Sequence, residues 1–216
     1  MRGRSARLAF GFLALVLVGW AAGELWIYIA SSADLTAIRD ATAQRTVPIE
    51  DLARVVTWAG SLVVLAPLAL LCCLALLRAG LGRQALALAV SLGGAVLLAD
   101  AIKLLVDRSR PPVAHLQAVS SPSFPSGHAT QASAFWLSAI FSVYAARGPG
   151  VVTRVLAVVG TAIVLAVAAS RVYLGVHYPG DVVAGMILGS CWAVLAWHSL
   201  AALPRRSRTA VEHSGA

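Results

Sequence analysis

Six stretches of mostly apolar residues, at roughly 8–30, 55–77, 85–106, 127–146, 152–170 and 180–203, dominate this 216-residue chain. Each is close to the length of about 20 residues at which a helix crosses the hydrocarbon core of a bilayer. No water is available there to bond free N–H and C=O groups, so such runs fold as helices that satisfy their own backbone. The chain therefore reads as an all-α, six-transmembrane-helix bundle, a single membrane domain over residues 1–203 with a polar cytoplasmic tail at 204–216. Composition excludes the main alternatives. Hydrophobic residues make up 59% and charged residues 12%, whereas soluble domains carry about 25% charged residues. A water-facing surface cannot be built from so little charge, and disordered chains are poor in hydrophobics.

The formal net charge of +8 needs no nucleic-acid partner, because basic residues on membrane proteins sit in cytoplasmic loops and set orientation. Alternate loops divide them unequally. One side holds Arg2, Arg4, Arg7, Arg78, Arg83, Arg147, Arg154, Arg205, Arg206 and Arg208; the other holds Arg39, Arg45, Arg54, Lys103, Arg108, Arg110 and Arg171. The first side is predicted to be cytoplasmic, with both termini on it. The first apolar run is read as an uncleaved span, because apolar residues resume after Glu24 as Leu25, Trp26 and Ile27. Cys72, Cys73 and Cys191 lie inside apolar runs with neither a metal-ligand nor a disulfide spacing.

Three short segments carry nearly all the chemistry: Lys103 to Pro111, Pro125-Ser126-Gly127-His128, and Ser170 to Asp181. Parity of the spans returns all three to one edge of the bilayer, the extracytoplasmic one. Lys103, Arg110 and Arg171 bring three cations there, costly to desolvate unless an anion meets them. Guanidinium groups match phosphate oxygens with paired hydrogen bonds, and lysine adds a point charge. Pro125 marks a helix start, so the amides of Ser126, Gly127 and His128 are expected to be free for an anion, aided by the helix dipole.

Two histidines supply a reaction. A neutral imidazole can attack phosphorus, while a protonated one gives its proton to the leaving alkoxide. Asp181 follows His177 by four residues. Pro179 disfavours helix at Tyr178, so His177 is expected just before the last span, with Asp181 in its first turn orienting the ring. Outside these roles, Asp100 is expected to pair with Lys103, and Asp107 and Arg108 to tune the charge of the loop. Ser170 reads as a packing residue.

The three segments resemble the signature of the type 2 phosphatidic acid phosphatase family, whose site also occurs in vanadium-dependent haloperoxidases. That signature is Lys, six residues, Arg-Pro; then Pro-Ser-Gly-His; then Ser-Arg, five residues, His, three residues, Asp. Every position is filled here. The resemblance implies that His177 is a nucleophile forming a phosphohistidine, Asp181 its partner, and His128 the acid that later activates water. It implies that Lys103, Arg110, Ser126, Gly127 and Arg171 bind the substrate phosphate, with neither metal nor cofactor. The implied activity is hydrolysis of lipid phosphomonoesters or diphosphates, with an undecaprenyl-type diphosphate preferred over phosphatidate and phosphatidylglycerol phosphate. A phosphotransferase could use the same site. An intramembrane serine protease is disfavoured because a peptide carbonyl is neutral until its transition state and needs oxyanion amides rather than three cations. A metallohydrolase on His128, His177 and Asp181 would be exposed by its sensitivity to chelators.

Overall fold

The computed structural model describes residues 2–201, and the expected tail at 204–216 lies outside them. Seven α-helices follow in order: α1 (Arg2–Ala43), α2 (Val47–Val56), α3 (Leu62–Arg78), α4 (Gly82–Val106), α5 (Gly127–Arg147), α6 (Val151–Tyr173) and α7 (Pro179–Leu200), with a 3₁₀ turn (Thr57–Gly60) between α2 and α3. Among the described residues there is no β-strand.

Four helices, α1, α4, α6 and α7, are long and apolar enough to cross a membrane. The segments Val47–Gly60 and Leu62–Arg78, bent by 43° at their junction, make a fifth crossing if taken together. Two of the six expected runs differ in character from the simple apolar span that the sequence suggested. The run at 55–77 is not one straight span: its start is the 3₁₀ turn, and α3 itself has 17 residues with Pro67 inside. The run at 127–146 does form a helix, α5, but a polar one. Thr130, Ser133, Ser138 and Ser142 are all buried in it, because α5 packs against α4, α6 and α7 and so presents little surface to lipid. Lipid-facing apolarity is instead carried by the outer helices, where Leu104, Leu97 and Val63 are exposed.

Two further features were not expected. Helix α1 runs for 42 residues, about 63 Å at 1.5 Å per residue, well past its apolar run. Helix α2 is an amphipathic segment with Ala53 buried and Leu52 and Val55 exposed.

The core joins α1, α4 and α7 through Val16, Leu98, Ile102, Leu188 and Trp192, with Phe124 from the loop before α5. A second cluster, Leu65, Leu88, Leu92 and Phe135, ties α3 to α4 and α5. The closest approach is between α5 and α7. A Cβ at Gly185 would stand 2.7 Å from the Ser126 carbonyl oxygen, and one at Gly189 would stand 2.2 Å from that of Thr130. This Gly-x-x-x-Gly pair lets the two backbones touch, the usual device of membrane helix packing. Consequently the C-terminal ends of α4 and α6 and the N-terminal ends of α5 and α7 gather at one end of the bundle.

Candidate active site

The turn before α7 positions the first histidine. Gly175 adopts φ +78°, and a Cβ there would collide with Ala114 and Arg45. The chain then passes through His177 and Tyr178 into α7, where Pro179 occupies the first turn. Asp181 accepts from the Tyr178 amide at 2.9 Å, a helix-start contact that also aims the carboxylate at His177. His177 Nδ1 lies 3.4 Å from Asp181 Oδ2, as expected across that turn, though Nδ1 makes no hydrogen bond. Its other nitrogen, Nε2, is 2.9 Å from Arg110 Nη1. A guanidinium can only donate, so Nε2 is the accepting nitrogen and the ring proton of the neutral form sits on Nδ1, facing Asp181. The imidazole is 2% exposed. Burial pushes its pKa down to about 3, against the opposing pull of Asp181 and with smaller help from Arg110 and Arg171.

Arg110 and Arg171 act on this ring, and Lys103 is a third cation in the neighbourhood of both arginines. Arg110 is held by the carbonyls of Ser121 at 2.9 Å and Pro122 at 3.2 Å, by the Ser121 hydroxyl, and by the carbonyl of Val176. Lys103, the last basic residue of α4, donates to the same Pro122 carbonyl. Arg171 donates to Thr57 Oγ1 at 2.9 Å and Gln117 Oε1 at 2.5 Å. All these acceptors are neutral. Among the described residues no carboxylate lies within ion-pair distance of Lys103, Arg110 or Arg171. Burial lowers the pKa of Arg110, with the charge of Asp181 working the other way.

Ser126 caps α5, and Gly127 and His128 are its first two residues. Contrary to the sequence expectation, the Ser126 amide is not free; it donates to the Asp181 carbonyl at 3.0 Å, tying the start of α5 to the first turn of α7. The amides of Gly127 and His128 keep the unsatisfied state of a helix start. Ser126 Oγ and Arg171 Nε are buried polar atoms with no partner in the protein. His128 is half-buried, and its charged neighbours are Arg171, Arg110 and Lys103. The eight residues singled out from the sequence thus come together at one end of the bundle.

Other expectations fail. Asp100 is exposed on α4 and makes no ion pair with Lys103, which turns inward to Pro122. Asp107 is the left-handed cap that ends α4, at φ 44°. Arg108 does far more than adjust loop charge. It is 8% exposed, donates to Asp181 Oδ1 at 2.6 Å and to Asp34 Oδ2 at 2.9 Å, and stacks 3.9 Å over the Tyr178 ring. Ser123 donates to the other oxygen of Asp181. Only its spacing, two residues before Arg110, hinted at Arg108; nothing in the sequence marked Asp34, Thr57 or Gln117. No group of three or more His, Cys, Asp or Glu side chains is arranged as metal ligands among the described residues.

A model of the PAP2 superfamily matches residues 84–205. The chain belongs to this family. All three segments lie inside the PAP2 match, whereas α1, α2 and α3 precede it. Phosphatidylglycerophosphatase B of Bacillus subtilis is 37% identical over 94 residues, 43% of this chain and 46% of that protein. Lipid A 1-phosphatase of Rhizobium johnstonii is 34% identical over 109 residues, 46% of this chain and 41% of that protein. These alignments span less than half the length of either curated relative. The crystal structure of a transmembrane PAP2-type phosphatidylglycerolphosphate phosphatase from Bacillus subtilis superposes with a TM-score of 0.75 at 25% identity, covering 92% of this chain and 96% of that one. LpxE of Aquifex aeolicus shares the fold, with a TM-score of 0.63 at 20% identity over 76% of this chain and 94% of that one.

Proposed function

We propose that this PAP2 protein hydrolyses lipid phosphomonoesters or diphosphates through a phosphohistidine on His177, without a metal. One observation carries the reading: three buried or half-buried cations without an ion-pair partner cluster beside a neutral imidazole whose accepting nitrogen meets one of them, Arg110. Burying an unpaired charge costs several kcal/mol, so this arrangement is built for an anion. A tetrahedral phosphate can engage Lys103, Arg110, Arg171 Nε, Ser126 Oγ and the amides of Gly127 and His128 together, which meets the unpartnered donors at once.

Each step follows from the positions of protons. His177 Nε2 attacks phosphorus; the bond from phosphorus to the leaving oxygen breaks, and His128 passes its proton to that oxygen. The phosphorylated ring carries a positive charge that Asp181 faces through Nδ1. His128, now neutral, takes a proton from water, and the resulting hydroxide attacks phosphorus. The P–N bond breaks, phosphate leaves, and both histidines regain their starting states. Three fixed cations serve throughout by matching the charge that spreads over the phosphoryl oxygens.

The lipid class rests on three supports: the membrane bundle, the relatives named above, and an apolar groove of about 240 Å³ between α1 and α7 that reaches Phe124 and Gly180. An undecaprenyl-type diphosphate remains the preferred substrate, with phosphatidate and phosphatidylglycerol phosphate as rivals. The basic-residue asymmetry supports a site on the extracytoplasmic face of a six-crossing protein, with α5 as the central crossing. The decisive experiment measures phosphate release from a panel of purified lipid phosphates and diphosphates, with chelator present. Wild-type turnover is expected to persist in chelator, to be inhibited by vanadate, and to fall to background in His177→Ala together with loss of the trapped phosphoenzyme. Turnover that survives His177→Ala would refute the assignment.

A further inference from the structure

Behind the catalytic turn, on the side away from the unpaired cations, lies a second buried charge cluster that the reaction above does not use. Asp34, 3% exposed, sits in α1, some fifty residues before the segment matched by the family model. Its Oδ2 accepts from Arg108 Nη2 and from the Trp26 indole N–H, each at 2.9 Å, and its Oδ1 accepts from the Gly180 amide at 2.9 Å. Arg108 in turn holds Asp181 Oδ1 at 2.6 Å. Gly180 makes the approach possible: a Cβ there would stand 2.0 Å from the Trp26 indole nitrogen and 2.8 Å from Asp34 Oδ2. The result is a continuous chain, Asp34 to Arg108 to Asp181 to His177, that joins the first helix to the catalytic turn.

From this geometry we infer that Asp34 and Arg108 are positioning residues that tune His177 through Asp181. This rests on the proposed phosphohistidine chemistry. A guanidinium bonded to Asp181 alone would draw that carboxylate's charge away from the imidazole. Asp34 shares the guanidinium, so two carboxylates and one cation leave a net negative charge beside the Nδ1–H. That charge is wanted most when His177 becomes phosphorylated and positive. Asp34 also grips the amide of the residue before Asp181, which fixes the backbone that aims it.

The test uses the full chain in detergent, with kcat, KM, and the inhibition constant of inorganic phosphate measured for each variant. Asp34→Asn keeps the shape but removes the charge and turns an NH₂ group toward one of its three donors. Its kcat is expected to fall about 10–100-fold, the range seen when an outer partner of a functional ligand is removed. KM and inhibition by phosphate should stay within about twofold, since neither residue touches the phosphate, and phosphohistidine formation in rapid quench should slow in step with kcat. Arg108→Gln should lose at least as much, Arg108→Lys should recover part of it, and the double variant with Asp34→Asn should lose no more than Arg108→Gln alone. If Asp34→Asn does not fold, Trp26→Phe, which deletes one donor to Asp34, should show a several-fold fall in kcat with inhibition by inorganic phosphate unchanged, the readout that the apolar groove lined by Trp26 does not touch. An unchanged kcat, a rise in KM alone, or losses that multiply in the double variant would overturn the inference. Those outcomes in an enzyme that still requires His177 leave the proposed function standing; activity that ignores His177→Ala removes both.

Discussion

Arg108 and Arg171 are both buried guanidiniums, 8% and 2% exposed, a short distance apart around one catalytic turn, yet they live in opposite electrostatic worlds. Arg108 meets two carboxylates and an aromatic face. Arg171 meets a hydroxyl and an amide oxygen, and its Nε has no partner. The first is an internal ion cluster whose charge is consumed by the fold. The second holds its charge in reserve, which a protein sustains at a site where the compensating anion arrives from outside. Counter-ion status, rather than residue type or burial, separates the arginine built into the fold from the one proposed to bind.

That contrast can be broken by substitution. Arg108→Ala strands two buried carboxylates and is expected to lower stability by about 3–5 kcal/mol, read as a loss of thermal unfolding temperature in detergent. Arg171→Gln should do the reverse. It removes an unpaired buried charge, so unfolding temperature should hold or rise, while kcat/KM drops by about 10²–10³-fold, the usual cost of deleting one donor to a developing oxyanion. If both variants lose stability equally, the distinction drawn here fails.

The pH profile sharpens the same division. Because burial holds His177 near 3, its attacking form is present across the range from about pH 5 to 8 in which an ordinary histidine titrates. No fall in kcat/KM within that range should belong to His177. Burial and the neighbouring Arg171, Arg110 and Lys103 disfavour the charged form of His128, so the proton it must donate is held best beside a bound phosphate. Activity should fall as pH rises, and His128→Ala should flatten that dependence while lowering the maximum by about 10²–10⁴-fold. The smallest effect is expected at Thr57→Val, which removes one of two neutral supports of Arg171. A loss near 1 kcal/mol would appear as a several-fold higher KM with kcat little changed.

How much of this was legible beforehand follows from the kind of interaction involved. Local rules placed α4, α6 and α7 within a few residues and set the start of α5, because apolar run length and Pro125 or Pro179 act through neighbours in sequence. The same rules, joined to a three-part motif, brought eight site residues to one end of the bundle. Long-range pairing was not legible. Asp34 is a solitary carboxylate at the end of an apolar run, and only the folded path of α1 shows that it meets Arg108, 74 residues away. The Asp100–Lys103 expectation failed for a related reason: a spacing of one turn permits a contact, but Lys103 donates instead to a carbonyl in the loop that follows α4. The extent of helix α5 was legible but its sheltered position was not, since its serines and threonine are covered by neighbouring helices that composition cannot display.

The bare contact between α5 and α7 has a bearing on every catalytic distance in the molecule. Ser126, Gly127 and His128 stand at the start of one of these helices and Asp181 in the first turn of the other, with His177 in the turn just before it. The spacing between the proposed cradle and nucleophile therefore depends on backbone pressed on backbone at Gly185 and Gly189. At Gly189 the nearest atoms are all backbone of Thr130, so no side chain can yield there. A single methyl at position 189 has nowhere to go and must wedge the two rods apart, and a misplacement of about 1 Å at a reacting centre can cost a hundredfold in rate. The mechanical gauge of this proposed active site is therefore set by hydrogen atoms buried about one and two turns beyond Asp181.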